Sequence, residues 1–166
     1  MKEIKLTIDG KDVQLTEEQL KALGAEANKR INPFEKVIRF EDYYFIEKNS
    51  EVYAYMDTDS SVDDRLYTSA NYFNDKAFAE QVALHQLLYR KLLKFAYDNE
   101  YEDVAEWNGS NSHWAIRYND NRKEFDSYCQ NSFKARDIYF SSEKGAERAI
   151  YEVVDPFMKE HPDFVW

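Results

Sequence analysis

The sequence predicts an α+β fold, an antiparallel sheet of aromatic-rich hairpins with two main helices packed on it. Three features lead there. Runs of β-branched and aromatic residues face each other across polar turns at three places. One long segment repeats its apolar residues at helical spacing. A pattern of strand end, helix cap and helix start occurs twice. A chain of 166 residues, 43% hydrophobic and 16% aromatic, has the size and the apolar content for a single domain with a real core.

The first hairpin occupies residues 3–15, where Ile4, Leu6 and Ile8 alternate before Asp9-Gly10 and Val13 and Leu15 follow it. Thr16-Glu17-Glu18-Gln19 then fits a capping box, and Leu20 and Leu23 give a short helix that ends around 24–30. These elements form an N-terminal unit, residues 1–31. Asn32-Pro33-Phe34 marks the break before the main domain, residues 32–166.

Tyr43-Tyr44-Phe45-Ile46 and Val52-Tyr53-Ala54-Tyr55-Met56 flank the turn Lys48-Asn49-Ser50 and predict a second hairpin. A polar loop follows. Asn71-Tyr72-Phe73 reads as a short strand, with Asn74 or Asp75 capping a helix that runs to about Tyr97. Its apolar positions, among them Phe78, Ala79, Val82, Ala83, Leu88, Leu92, Leu93 and Ala96, cover more than one face and predict substantial burial. After a polar stretch over 98–112, Trp114 to Tyr118 and Glu124 to Tyr128 form a third hairpin across Asp120-Asn121. Residues 137–140 give another strand. Ser141 or Ser142 caps the last helix, which Pro156 is expected to end or kink, leaving Phe157-Met158-Lys159 as a separate turn. The aromatic tail, with Phe164 and Trp166, is expected to dock.

The segments beginning Tyr72-Phe73-Asn74-Asp75 and Tyr139-Phe140-Ser141-Ser142 are alike, and each lies downstream of an aromatic hairpin, with Tyr55 corresponding to Tyr128. Two readings stand side by side: a hairpin-strand-helix unit used twice, about 41–97 and 113–155, or the common grammar of capped helices.

Several function classes are excluded by composition. Gly10, Gly24, Gly109 and Gly145 are too scattered for a phosphate loop or a dinucleotide turn. The single Cys129 makes no internal disulfide and no thiolate-rich zinc site. No segment has the roughly 20 apolar residues of a membrane span, and residues 1–5 lack a secretory apolar core, so a cytoplasmic protein is expected. A net charge of −10 repels phosphates, which disfavours nonspecific nucleic acid and anionic membranes and favours basic protein surfaces.

The acidity is local. Residues 41–64 carry a net −7 and residues 98–106 a net −5, leaving the rest slightly positive. The candidate partner-binding residues are therefore Asp57, Asp59, Asp63, Asp64, Asp98, Glu100, Glu102, Asp103 and Glu106, with Trp107 as an aromatic anchor. Carboxylates along a folded scaffold can stand in for phosphates in a host protein's nucleic-acid channel; the plainer reading is a solvated, solubilising surface. Asp57 to Asp64 superficially suggests calcium, but Val62 and Thr68 stand where an EF-hand needs its glycine and its bidentate glutamate. Cys129 with His113 could form a thiolate-imidazole pair, though no spacing supports it. No catalytic residue, metal or cofactor is assigned.

The strings Ile4-Lys5-Leu6-Thr7-Ile8-Asp9-Gly10-Lys11, Asn32-Pro33-Phe34-Glu35, Asn71-Tyr72-Phe73, and the close from Pro156 to Trp166 resemble small proteins of unassigned function from phages and prophages of Gram-positive bacteria. That resemblance implies a setting rather than a mechanism. In it, small acidic proteins bind host machinery, including anti-CRISPR and other anti-defence inhibitors, some of them DNA mimics. The expectation is a phage-encoded, non-enzymatic, stoichiometric inhibitor of a basic, nucleic-acid-handling host protein such as a CRISPR effector or other nuclease. The alternative is a phage structural, assembly or other protein-interaction component without inhibitory activity.

Overall fold

The computed structural model describes residues 6–8, 11–13, 32–135 and 137–166, and shows a mixed α+β fold. Strands β1 (Leu6–Ile8) and β2 (Lys11–Val13) pair antiparallel, with Leu6 opposite Val13, as the alternation predicted. The short helix expected after Thr16 lies outside the described residues.

β3 (Asp42–Ile46) pairs antiparallel with β4 (Val52–Met56), placing Tyr43 opposite Tyr55 and Phe45 opposite Tyr53. The polar loop expected next is instead a helix, α1 (Ser61–Thr68). Its start is a capping box: the Ser60 hydroxyl accepts from the Asp63 backbone N–H, and the Asp63 carboxylate accepts from the Ser60 N–H at 2.8 Å. Reciprocal bonds of this kind satisfy two donors that would otherwise be unpaired, which outweighs the poor helix propensity of an Asp- and Ser-rich segment.

Asp75 caps α2 (Lys76–Asp98), accepting from the Phe78 N–H at 3.1 Å. Ala79, Ala83, Leu88, Leu92, Phe95 and Ala96 are its buried positions. Phe78 and Leu93 are more than a third exposed, so α2 buries one face rather than being enclosed. β5 (His113–Asn119) and β6 (Glu124–Gln130) form the longest hairpin. Ser142 caps α3 (Glu143–Ala149), whose Gly145 leaves room for Tyr101: an added Cβ would lie 2.8 Å from that ring.

The chain does not stop at Pro156. A π-helical turn, Ile150–Val154, leads directly into α4 (Asp155–Glu160), and Phe157 is buried there. Proline lacks an N–H and its ring collides with the carbonyl four residues back in a regular helix. The wider turn, with the Asp155 N–H reaching Ile150 O, carries the backbone past that obstacle and sets Pro156 in the first turn of α4, where no donor is missed.

The three hairpins are separate two-stranded sheets rather than one sheet. The strands expected at 71–73 and 137–140 are each a single bridge. Tyr44 and Phe73 exchange backbone bonds of 2.7 and 2.8 Å; Trp114 and Phe140 exchange bonds of 3.1 and 2.6 Å. Each bridge leads into a cap and a helix, so the same local arrangement occurs twice. Superposing the bridges sets Ala54 against Cys129 and Tyr55 against Gln130, two residues away from the correspondence of Tyr55 with Tyr128.

The apolar core joins Leu88, Leu92 and Phe95 of α2 to Ile116, Phe140, Ala146, Val154, Phe157 and Phe164. The tail docks through Gln81, whose amide donates to Asp163 O at 2.8 Å and accepts from the Val165 N–H at 3.0 Å. The first hairpin-helix unit has a polar centre. Tyr43 and Tyr72 stack with centroids 4.0 Å apart, and their hydroxyls donate to Asp63 at 2.8 Å and Asp57 at 2.7 Å; all four residues are buried.

Burial by itself would raise the Asp63 carboxyl, but bonds from the Ser60 and Thr58 N–H groups and the Ser60 and Tyr43 hydroxyls outweigh it and hold the group well below the usual carboxylate range. A folded-state pKa below the unfolded value of roughly 3.9 means stability that is complete above that pH and is lost as pH falls through it. Asp63→Ala should cost about 3 kcal/mol at pH 7, since it strands the Tyr43 hydroxyl and removes the carboxylate half of the α1 capping box. Urea unfolding between pH 7 and pH 2.5 checks both points: wild type should lose stability below pH 4 and Asp63→Asn should show a flatter decline.

Candidate functional site

The Asp98–Asn99 end of α2 passes into the segment 100–112, which folds back over the β5 end of the third hairpin. Glu100 takes a positive φ of 58°, turning the chain, and the Tyr101 N–H closes the helix on Ala96 O at 2.8 Å. Glu102 bridges to Phe140, so the segment lies beside the Trp114–Phe140 pair. Asn108 holds the loop at 108–111, accepting from the Ser110 N–H at 2.9 Å and the Asn111 N–H at 3.1 Å.

This path sets Trp107 flat on His113, with ring centroids 3.7 Å apart and planes 5° apart, and edge-on to Tyr139 at 4.9 Å. His113 is fully buried; its Nδ1 lies 2.5 Å from Asp103 Oδ2, and its Nε2 has no hydrogen-bond partner among the described residues. The position equivalent to His113 in the first unit is Tyr43, which is likewise buried, stacked on a ring and tied to a carboxylate.

Against this stack lies a cavity of about 180 Å³, walled by Tyr89, Tyr97 and Leu93 of α2, by Glu102, Asp103 and Trp107, and by Tyr139. Lys134 and Asp137 stand at it as well. Lys134 Nζ lies 5.8 Å from the centre of the Trp107 ring, a cation over an aromatic face. Glu102 Oε2 is buried and has no hydrogen-bond partner among the described residues. Aromatic walls, carboxylates and an acceptor without a donor suit a cationic side chain.

The ten residues singled out from the sequence fall into three groups. Glu102, Asp103 and Trp107 come together at the cavity, with Glu100 and Glu106 exposed around that end of the molecule and Asp98 exposed and paired with Lys94. Asp57 and Asp63 face inward and bind Tyr72 and Tyr43, so they present no charge to a partner. Their negative charge is balanced by hydrogen bonds instead of being displayed. Asp59 and Asp64 are exposed, and both lie on Lys36, at 3.3 and 3.5 Å. Partial burial lowers the Lys36 pKa, but Asp59, Asp57 and Asp64 outweigh it and raise it.

The residues at 57–64 sit by Tyr72, ahead of α2, and those at 98–106 follow it. The 23-residue helix α2, about 35 Å long, runs between them in the chain, but the later stretch folds back along it, so that Asp103 and Trp107 stand beside Tyr89 and Leu93.

Cys129 does not meet His113. Cys129 stands opposite Trp114 in the β5–β6 register, on the other face from His113, and it is exposed where His113 is buried. Among the described residues no three His, Cys, Asp or Glu side chains are grouped to hold a metal ion. No helix among them is long and apolar enough to cross a membrane. Sequence reasoning weighed His113 only as a partner for Cys129 and gave Tyr139 no site role. The alternation of His113 with the buried Ala115 marks it as inward-facing, but nothing local points to Asp103 or Trp107 as its neighbours.

Comparison with family models, curated proteins and solved structures returns no match.

Removing the Asp103 carboxylate leaves both nitrogens of a buried imidazole without partners, a change worth about 2 kcal/mol. Asp103→Ala should therefore lower the urea midpoint clearly, whereas Glu106→Ala, on an exposed side chain, should stay within about 0.5 kcal/mol of wild type. Equal midpoints for the two variants would contradict the arrangement.

Proposed function

We propose that the chain is a stoichiometric, non-enzymatic inhibitor that captures a basic surface of a host protein that handles nucleic acid, with the Trp107 cavity as its anchor point. The observation that carries this reading is the cavity's own chemistry. Glu102, Asp103 and the rings of Trp107, Tyr97 and Tyr139 surround a space at which a lysine of the chain, Lys134, already sits. A lysine or arginine from a partner would meet the same walls, and Asp98, Glu100 and Glu106 around it would speed the encounter. The phage setting, and with it an anti-defence or anti-CRISPR role against a nuclease in the bacterial cytoplasm, rests on the resemblance of the sequence.

Within this reading, the placement of the acidic residues favours one mode of action. Two acidic stretches, one of them with Asp57 and Asp63 turned inward and Asp59 and Asp64 held on Lys36, do not support a long phosphate-like track. They support capture of a local basic segment. The same arrangement favours, as a second reading, a phage assembly or other protein-interaction component that binds without inhibiting.

The test is titration of the purified protein against RNA-guided nucleases, with cleavage measured alongside binding. One-to-one, salt-sensitive binding is expected. Combining Asp98→Asn, Glu100→Gln, Glu102→Gln and Glu106→Gln should weaken it about ten-fold or more, and Tyr97→Ala, on an exposed ring of the cavity wall, should weaken it without unfolding the chain. Undiminished binding by these variants would sink the cavity reading, and binding with unchanged cleavage would favour the assembly component.

A further inference from the structure

β4 has an outer edge that no described residue pairs with. Tyr44 gives both its backbone N–H and its C=O to Phe73, so the Tyr44–Ala54 pair is the kind that exchanges no bonds across the hairpin. By alternation the N–H and C=O groups of Val52, Ala54 and Met56 point away from β3, along an open edge. Tyr53, Ala54, Tyr55 and Met56 are all exposed there. The strand carries no lysine, proline or bulge, the devices that usually blunt such an edge.

Beside the edge runs a groove of about 570 Å³, between the start of β4, α2 and the docked tail. Glu51, Glu80, Glu160 and Asp163 line it with His161, and among the described residues no lysine or arginine does. Glu80 also pairs with Lys76 at 3.3 Å, an exposed contact that leaves the groove acidic.

We propose that this edge is a docking site for an extended, lysine- or arginine-bearing segment of a partner protein, which adds to β4 as a third strand. Backbone bonds to Val52, Ala54 and Met56 would supply the register, and the four carboxylates would select for positive side chains. A second copy of this chain is disfavoured as the occupant, because it would bring the same four carboxylates into the joint. The surface is separate from the Trp107 cavity, and the proposal stands whether or not that cavity binds.

The probe is a ten-residue peptide alternating lysine and threonine, with its glutamate-threonine counterpart as control. The lysine peptide should slow hydrogen exchange at the Val52, Ala54 and Met56 amides at least ten-fold, and the glutamate peptide should bind at least ten-fold more weakly. Ala54→Pro removes a donor that β3 does not use, so it should abolish peptide binding while leaving the urea midpoint near wild type. Should that variant misfold, Glu80→Lys with Asp163→Lys provides the second arm, expected to weaken the lysine peptide about ten-fold. Tyr97→Ala should leave peptide binding unchanged, which separates this site from the cavity. Absence of amide protection, equal binding of both peptides, undiminished binding by the variants, or protection of these amides by self-association without peptide would each overturn the proposal.

Discussion

The Asp63 carboxylate is the point on which the first half of the domain turns. It receives the Tyr43 hydroxyl, the Thr58 hydroxyl and backbone N–H, and the Ser60 hydroxyl and backbone N–H. One buried anion thus ends the β3–β4 hairpin, starts α1 and fixes the Tyr43 ring against Tyr72. A charge without such donors would not remain ionised away from water, so the network must be complete for the fold to hold it. Asp57 beneath Tyr72 repeats the device a few residues earlier and draws Lys36 to within 4.0 Å.

The second unit solves the same packing problem with different chemistry. Its inward residue at the head of the hairpin is His113, stacked on Trp107 and joined to Asp103, where the first unit has Tyr43, Tyr72 and Asp63. Below it, however, the centre is apolar: Ile116, Phe140, Ala146 and Val154 pack on Leu92 and Phe95. The two bridges, Tyr44–Phe73 and Trp114–Phe140, leave β4 and β6 as the outer strands of their hairpins, because β3 and β5 are already paired on both sides.

This architecture decides what the molecule can offer a partner. Within the two acidic stretches, carboxylates that bind the interior lose their reach outward, and Asp59, Asp64 and Asp98 at the surface are paired with lysines. What remains near the C-terminal end of α2 is a small aromatic and acidic cavity, and along β4 an open backbone edge beside an acidic groove. Both suit short basic segments more than a long polyanion-binding track.

The sequence by itself determined the hairpins, the starts of α2 and α3 and the clustering of acidic residues, because turn chemistry, two-residue alternation and side-chain caps act between neighbours. The helix α1 was legible too, in Ser60-Ser61-Val62-Asp63, but the surrounding acids obscured it. Only the tertiary structure decided which carboxylates face inward. Asp63 finds its tyrosine 20 residues away, Asp57 finds its own 15 away, and Asp103 finds His113 10 away. No local pattern encodes those meetings, since they arise when separate elements pack, and so the same acidic composition yields buried struts at some positions and exposed charge at others.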